Sequence, residues 1–274
     1  MDTRLNIALV GFGKFGKKYY KNILKNKKFY LKKIYRKKKY KSKIFQKLSN
    51  KDLNINQIKS AIIATPVESH YRISCLFIKK KIPIILEKPA AKHPKEIKRL
   101  SEISKKNKTT VIVNYSDLFN ENLNFLISKK RIIGKIKYIK ADFVKFSNQY
   151  KKKTFTPAED WLSHPLAIIL EIFKKISNIK IISNKIIKKN KSFFQDVHIK
   201  FTTSQKINGE IIFSNSCKTK KRNLILYGEK GILNYDGYNK KNNFIMTDKR
   251  IFPKKKYISP MEKILEIHRI RKKF

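Results

Sequence analysis

Residues 5–16 read Leu5-Asn6-Ile7-Ala8-Leu9-Val10-Gly11-Phe12-Gly13-Lys14-Phe15-Gly16. The first six are a short apolar run of the kind buried in a parallel sheet. The run ends in G-x-G-x-x-G, and residues 17–25 continue with helix-forming side chains. In a strand–turn–helix of this type each glycine has its own task. Gly11 permits the tight turn, Gly13 lets the backbone approach a pyrophosphate, and Gly16 lets helix and strand pack closely. The helix start then offers unpaired N–H groups and the positive end of its dipole to an anion. Phe12, Lys14 and Phe15 fill the variable places of the loop and join the glycines as candidate dinucleotide-binding residues. The competing reading is a glycine-rich turn that packs and binds nothing.

Outward from this loop, residues 29–35 read as a second strand, with Leu31 and Ile34 apolar among lysines. About 20 residues past the glycines, such a fold carries an acid for a ribose 2′-OH. Here Arg36 stands in that place, followed by three lysines. A missing acid with an arginine present suits a 2′-phosphate, so NADP is favoured over NAD; a loop made basic by lysine enrichment alone is the alternative. Residues 60–65 form the next strand and run into Pro66, after which Glu68-Ser69-His70 opens a helix reaching residue 78. A buried strand over 82–86 ends in Glu87-Lys88-Pro89, and a helix over 94–107 and a strand over 109–114 follow. Strands alternating with helices of this length imply a parallel sheet with right-handed crossovers. Ligands of such sheets lie beyond the carboxyl ends of the strands. Gly11, Thr65, Glu87-Lys88 and Asn114-Tyr115 all fall there.

The second half has a different rhythm. Strands are expected over 135–146, 180–183, 196–201 and 209–214, with a polar turn at Ile207-Asn208-Gly209. A run of strands behind one helix implies a mostly antiparallel sheet with helices on one face. The expected fold class is α/β, a Rossmann-type parallel sheet over 1–117 followed by an α+β domain over 118–274. Helical spacing of Ile264, Leu265, Ile267 and His268 predicts a closing helix over 261–270.

Composition excludes some classes and tempts toward others. At 274 residues with 41% hydrophobic content, the chain can build a real core. No apolar run approaches the roughly 18 residues of a membrane span, and the opening run stops at a glycine turn, so a cytoplasmic protein without a membrane partner is expected. Cys75 and Cys217 lie far apart without metal-ligand spacing and are expected as free thiols; no metal site is expected. The net charge of +48 would ordinarily point to nucleic acid. However, the basic residues are 58 Lys against 9 Arg, spread through every stretch of the chain. A phosphate-reading face recruits arginine, so codon drift toward lysine is favoured and no specific nucleic-acid partner is expected.

The motifs taken together resemble the Gfo/Idh/MocA family of NAD(P)-dependent oxidoreductases. The ordered series is the Gly11–Gly16 loop, Ala64-Thr65-Pro66 with His70, and Glu87-Lys88-Pro89. It continues through Asn114-Tyr115 with Leu118-Phe119-Asn120, Gly134-Lys135-Ile136 and Asp160-Trp161-Leu162-Ser163-His164. It ends with residues 223–228 and 231–236 as a late strand–turn–strand. Pro165 departs from the acid expected there in many relatives. The resemblance implies Lys88, Asp160 and His164 as the catalytic set. It places Thr65, Pro66, His70, Glu87, Lys88 and Arg36 with the glycine loop at the cofactor, and Tyr115, Asn120, Asp160 and His164 at a small-molecule substrate. It implies a sugar, sugar-nucleotide or related polyhydroxy substrate, and a homo-oligomer formed through the C-terminal sheet.

The chemistry suits these residue types. Asp160 and His164 stand four apart, on one face if residues 159–173 are a single helix. A carboxylate beside an imidazole raises its pKa and fixes its tautomer, which serves proton transfer near neutrality. Lys88 can place a cation at an oxygen developing negative charge. His70 reads as a structural or cofactor-loop residue, and Trp161 as core rather than a sugar-stacking platform. A non-catalytic nucleotide-binding protein on the same fold remains the alternative function.

Overall fold

The computed structural model describes residues 4–36, 45–47, 55–147, 155–189 and 192–253. The helix expected over 261–270 and the lysines after Arg36 lie outside them. The chain divides into two compact units, with the change between Tyr115 and Ser116.

The first unit alternates β1 (Leu5–Val10), α1 (Lys14–Lys25), β2 (Phe29–Arg36), β3 (Phe45–Lys47), β4 (Ser60–Ile63), α2 (His70–Lys79), β5 (Ile84–Glu87), α3 (Pro94–Lys106) and β6 (Val111–Asn114). The strands form one sheet in the order β3-β2-β1-β4-β5-β6, and every pair is parallel. This is the doubly wound order that reverses beside the first strand. All four residues of β4 and of β5 are buried, as a sheet covered on both faces requires.

The second unit opens with a 3₁₀ turn (Ser116–Phe119) and α4 (Glu121–Ser128). Then come β7 (Ile136–Val144), α5 (Pro157–Trp161), α6 (Ser163–Phe173), β8 (Ile176–Lys189), β9 (Ser192–Thr203) and β10 (Asn208–Ser214). The unit's described part closes with β11 (Lys221–Gly228), β12 (Ile232–Asp236), β13 (Phe244–Met246) and β14 (Arg250–Ile251). The eight-stranded sheet runs β14-β13-β12-β11-β7-β10-β9-β8. Its pairs are antiparallel except β7 with β10. Alternate residues Ile139, Ala141 and Phe143 of β7, with Val197, Ile199 and Phe201 of β9, point to one face and pack with Leu123 and Leu126 of α4 and Ile168, Ile169 and Ile172 of α6. Burial of each of these side chains other than Ala141 contributes about 1.5–3 kcal/mol. Packing therefore positions α6, which lacks a side-chain N-cap. Among the described residues, no helix is long and apolar enough to cross a membrane.

Two local expectations are corrected. Residues 159–173 are not one helix: α5 and α6 meet at Leu162, whose φ of −61° and ψ of −22° serve both ends. The reason is Pro165. Inside a continuous helix its ring would clash with the Trp161 carbonyl, whereas in the first turn of a new helix it is tolerated. The polar turn sits earlier than 207–209, with Lys206 in the left-handed region at φ +60° and its N–H donating to the Thr203 carbonyl at 3.0 Å. Gly209 lies inside β10, where a Cβ would stand 2.5 Å from Phe201 Cζ and 2.9 Å from Ile139 Cβ. That glycine admits a cross-strand neighbour rather than making a turn.

Candidate functional site

In the first unit, the ends of β1, β4, β5 and β6 share one edge, as a parallel sheet dictates. Gly11 has φ +96°, and a Cβ there would run into the Ala64 carbonyl. Its N–H donates to the Tyr35 carbonyl at 2.8 Å. A Cβ on Gly16 would strike the Gly11 carbonyl, so this residue allows α1 to pass close beneath the turn. Gly13 differs: it caps α1 with no side chain, and a Cβ there would meet nothing within 4 Å. The first turn of α1 carries no acid, and Lys14 and Phe15 are exposed. Open space over unpaired helix N–H groups is what a diphosphate requires, and these residues fit one.

The neighbouring loops are tied together by buried polar groups. His70 is buried, with Nδ1 at 2.8 Å from the Pro89 carbonyl and Nε2 at 2.8 Å from the Thr65 carbonyl. It thus staples the loop after β4, where Thr65 also accepts from Ser69 Oγ at 2.8 Å, to the loop after β5. Pro66 leads into the 3₁₀ turn that opens α2. Lys88 is half-buried and joined to Pro89 by a cis peptide. Glu87 is buried, and its Oε1 accepts from Tyr19 Oη at 2.8 Å and Asn114 Nδ2 at 2.7 Å. Burial, then the Glu87 charge, push the Tyr19 hydroxyl pKa well up. This network pins α1, β5 and β6 to one another beside Lys88. Arg36 ends β2 half-buried, and Tyr115 follows β6 with its hydroxyl pKa raised by burial.

In the second unit His164 is buried at the start of α6. The carboxylate at its Nδ1 is Asp117, with Oδ2 at 3.0 Å, where sequence spacing had singled out Asp160. Arg222 grips the same carboxylate through Nε to Oδ1 at 3.0 Å and Nη2 to Oδ2 at 2.5 Å. Tyr235 donates its hydroxyl to Oδ1 at 3.2 Å. Burial works to raise the Asp117 pKa. The His164 hydrogen bond and the Arg222 charge outweigh it and hold this carboxyl well below the usual carboxylate range. Burial likewise works against the Arg222 charge, and Asp117 overcomes it. Trp161 packs against the core of this unit, its ring 5.9 Å from the imidazole. Asp160 sits half-buried on α5, its carbonyl accepting from Ser163 Oγ at 3.1 Å. Asn120 is the N-cap of α4, its Oδ1 accepting from Asn122 N at 3.0 Å and Leu123 N at 3.4 Å.

Asp117, Arg222, Tyr235 and Tyr19 were not anticipated from sequence. One signal was available for Arg222. In a chain with 58 Lys and 9 Arg, an arginine marks a place where a planar fork is needed. An imidazole whose one nitrogen faces a buried carboxylate can move a proton at the other.

Residues 5–115 match the GFO_IDH_MocA family model, an oxidoreductase family with an NAD-binding Rossmann fold. The match lies within the first unit. No curated protein sequence matches the chain significantly. Among solved structures, the chain is similar to the UDP-N-acetylglucosamine 3-dehydrogenase GnnA from Acidithiobacillus ferrooxidans. That match has 10% identity and a TM-score of 0.82, covering 97% of this chain and 87% of that one. It is also similar to the WlbA dehydrogenase from Bordetella pertussis in complex with NADH and UDP-GlcNAcA (14% identity, TM-score 0.77, 100% and 84% covered). A third is biliverdin reductase from Synechocystis sp. PCC 6803 in complex with biliverdin and NADP+ (12% identity, TM-score 0.72, 95% and 87% covered). At these identities the likeness is one of fold, and both units share it.

Proposed function

We propose that this chain is an NAD(P)-dependent oxidoreductase that transfers a hydride to or from a sugar, sugar-nucleotide or related polyhydroxy substrate. The observation that carries the reading is the glycine loop. Gly11 and Gly16 are required by backbone contacts, while Gly13 leaves an open cradle at the head of α1, within a unit matching an NAD-binding family. GnnA, a UDP-N-acetylglucosamine 3-dehydrogenase by name, and the WlbA dehydrogenase, in complex with NADH and UDP-GlcNAcA, support the substrate class.

A nicotinamide cofactor, when bound, supplies the hydride donor or acceptor. The Gly11–Gly16 loop and the N–H groups of α1 would hold its diphosphate, with Thr65, Pro66, Glu87 and Lys88 lining the strand ends beside it. Arg36, in place of an acid, supports a 2′-phosphate and hence NADP over NAD. Movement of a hydride at a carbinol or carbonyl carbon obliges the oxygen to lose or gain a proton. His164 is assigned that proton. Lys88 is assigned the stabilisation of charge developing on the oxygen, and Asp160 and Tyr115 the substrate hydroxyls.

Titration calorimetry with NADPH and NADH is expected to show binding of both, tighter for NADPH, and absence of binding to either would sink the reading. With an accepted substrate, Lys88→Met and His164→Gln are each expected to lower kcat by about 100- to 10,000-fold with cofactor binding retained. Cofactor binding without turnover would leave the non-catalytic alternative, and turnover unchanged by both replacements would remove Lys88 and His164 from the chemistry. We further propose self-association through the second sheet, whose edge strand β8 exposes Ile179, Ile181, Ile182 and Ile186. Sedimentation velocity is expected to show a dimer or larger species, reduced to monomer by Ile181→Lys with Ile186→Lys; a monomeric wild type would refute this.

A further inference from the structure

The buried triad of Tyr19, Glu87 and Asn114 in the first unit is lopsided. Tyr19 Oη donates to Glu87 Oε1 at 2.8 Å, and Asn114 Nδ2 donates to the same oxygen at 2.7 Å. A carboxylate oxygen has room for about two such donors, so Oε1 is full. Oε2 takes no hydrogen bond among the described residues. Although Glu87 is only 7% exposed, this oxygen is not one of the unpartnered atoms that the fold seals from solvent. Asn114 is arranged the opposite way. The carboxylate, which only accepts, draws the amino end of the amide, and Nδ2 also donates to Tyr19 Oη at 2.6 Å. Its Oδ1 is left sealed off with no donor. A stranded buried acceptor is costly, so the amide is turned for Glu87 and not for its own satisfaction. We propose that Tyr19 and Asn114 are positioning residues of the cofactor site. They bind Glu87 through Oε1 alone and so present Oε2 as a fixed acceptor for an O–H or N–H of the cofactor's nicotinamide half. This deepens the reading of the first unit as an NAD(P) site and rests on it.

The placement follows from strand order. In β3-β2-β1-β4-β5-β6 the glycine loop follows β1, and Arg36 ends β2 on one side of it. Glu87 ends β5 on the other side, about 10 Å from β1 at the usual strand spacing. A dinucleotide with its diphosphate on the loop and its 2′-phosphate at Arg36 thus carries its nicotinamide half toward Glu87. Glu87 and Asn114 are register partners in the β5–β6 ladder, and Tyr19 belongs to α1, the helix whose first N–H groups meet the diphosphate. Three elements therefore hold one carboxylate. A side chain already fixed loses little freedom when a donor arrives, which is how preorganisation raises affinity. Two groups of the nicotinamide half carry such a donor, the ribose hydroxyls and the carboxamide N–H.

The test is titration calorimetry on the full chain with three ligands: NADPH, 2′-phospho-ADP-ribose, which lacks the nicotinamide ring, and 2′-phospho-ADP, which lacks the second ribose as well. Tyr19→Phe and Asn114→Leu are each expected to weaken NADPH about tenfold or more, while 2′-phospho-ADP stays within about twofold of wild type. A loss shared by 2′-phospho-ADP-ribose assigns the donor to the ribose, and a loss confined to NADPH assigns it to the carboxamide. Glu87→Gln is expected to weaken NADPH likewise, and adding Tyr19→Phe to it should cost nothing further, because both act through one side chain. Unchanged NADPH affinity in Tyr19→Phe, or equal losses for NADPH and 2′-phospho-ADP, would overturn the proposal and leave the cofactor reading standing. A wild type that binds none of the three would refute the cofactor reading and the proposal with it. Should Asn114→Leu not fold, Tyr19→Phe and Glu87→Gln still decide.

Discussion

Asp117→Ala is expected to destabilise the second unit by about 3–5 kcal/mol, because it strands the buried Arg222 charge. Asp117 is 6% exposed and Arg222 15%, so water cannot take over the lost partner. Urea titration followed by the fluorescence of Trp161, the chain's single tryptophan and part of this unit's packing, reads the effect directly. The double replacement Asp117→Ala with Arg222→Met is expected to recover much of the loss, since no uncompensated charge remains. A single variant within about 1 kcal/mol of wild type would mean that the pair is not buried in solution.

The pH dependence follows from the direction of the Asp117 shift. Its folded-state pKa is depressed, so its contribution is complete above the unfolded value near 3.9 and fades as pH falls through the lower folded value. The part of the gap between wild type and Asp117→Ala that comes from ionisation of Asp117 itself should narrow only in acid below about pH 4.

The glycine loop allows stability and binding to be separated. Gly16→Ala is expected to cost about 1–3 kcal/mol, because its methyl group meets the Gly11 carbonyl, which cannot yield without moving the turn. Cofactor affinity should fall with it. At Gly13, by contrast, φ is −77° and the space is open. Gly13→Ala should therefore change stability by less than about 1 kcal/mol yet weaken NADPH binding at least about tenfold, as a methyl group enters the cradle. Thermal unfolding and calorimetry on the two variants give the comparison. Equal loss of stability in both, or unchanged affinity in Gly13→Ala, would remove the loop's assignment to the diphosphate.

The Rossmann half was legible because its signals are local. Strand β1 begins and ends where the apolar run does, at Leu5 and Val10, and the glycine spacing concerns six adjacent residues. The alternation of strands and helices then sets the parallel sheet. In the second half the antiparallel strands were legible as well. The break at Leu162 was written in Pro165 but hidden by the four-residue spacing of Asp160 and His164, which suggested one face of one helix. The Gly209 position was misread for a related reason: glycine next to asparagine looks like a turn until the facing Phe201 and Ile139 are known.

Sequence alone determined where the glycine turn between β1 and α1 lies and that a parallel sheet carries it, since both depend on residues close along the chain. It also singled out His164 among five histidines. The partners of that histidine were decided by tertiary structure. Asp117 is 47 residues from His164, and Arg222 is 105 residues from Asp117. What joins them is the pairing of β11 with β7 and β12 and the packing of α6 on that sheet. A hydrogen-bonded charge cluster assembled from three separate elements leaves no period in the sequence, because its geometry exists only once the sheet has closed.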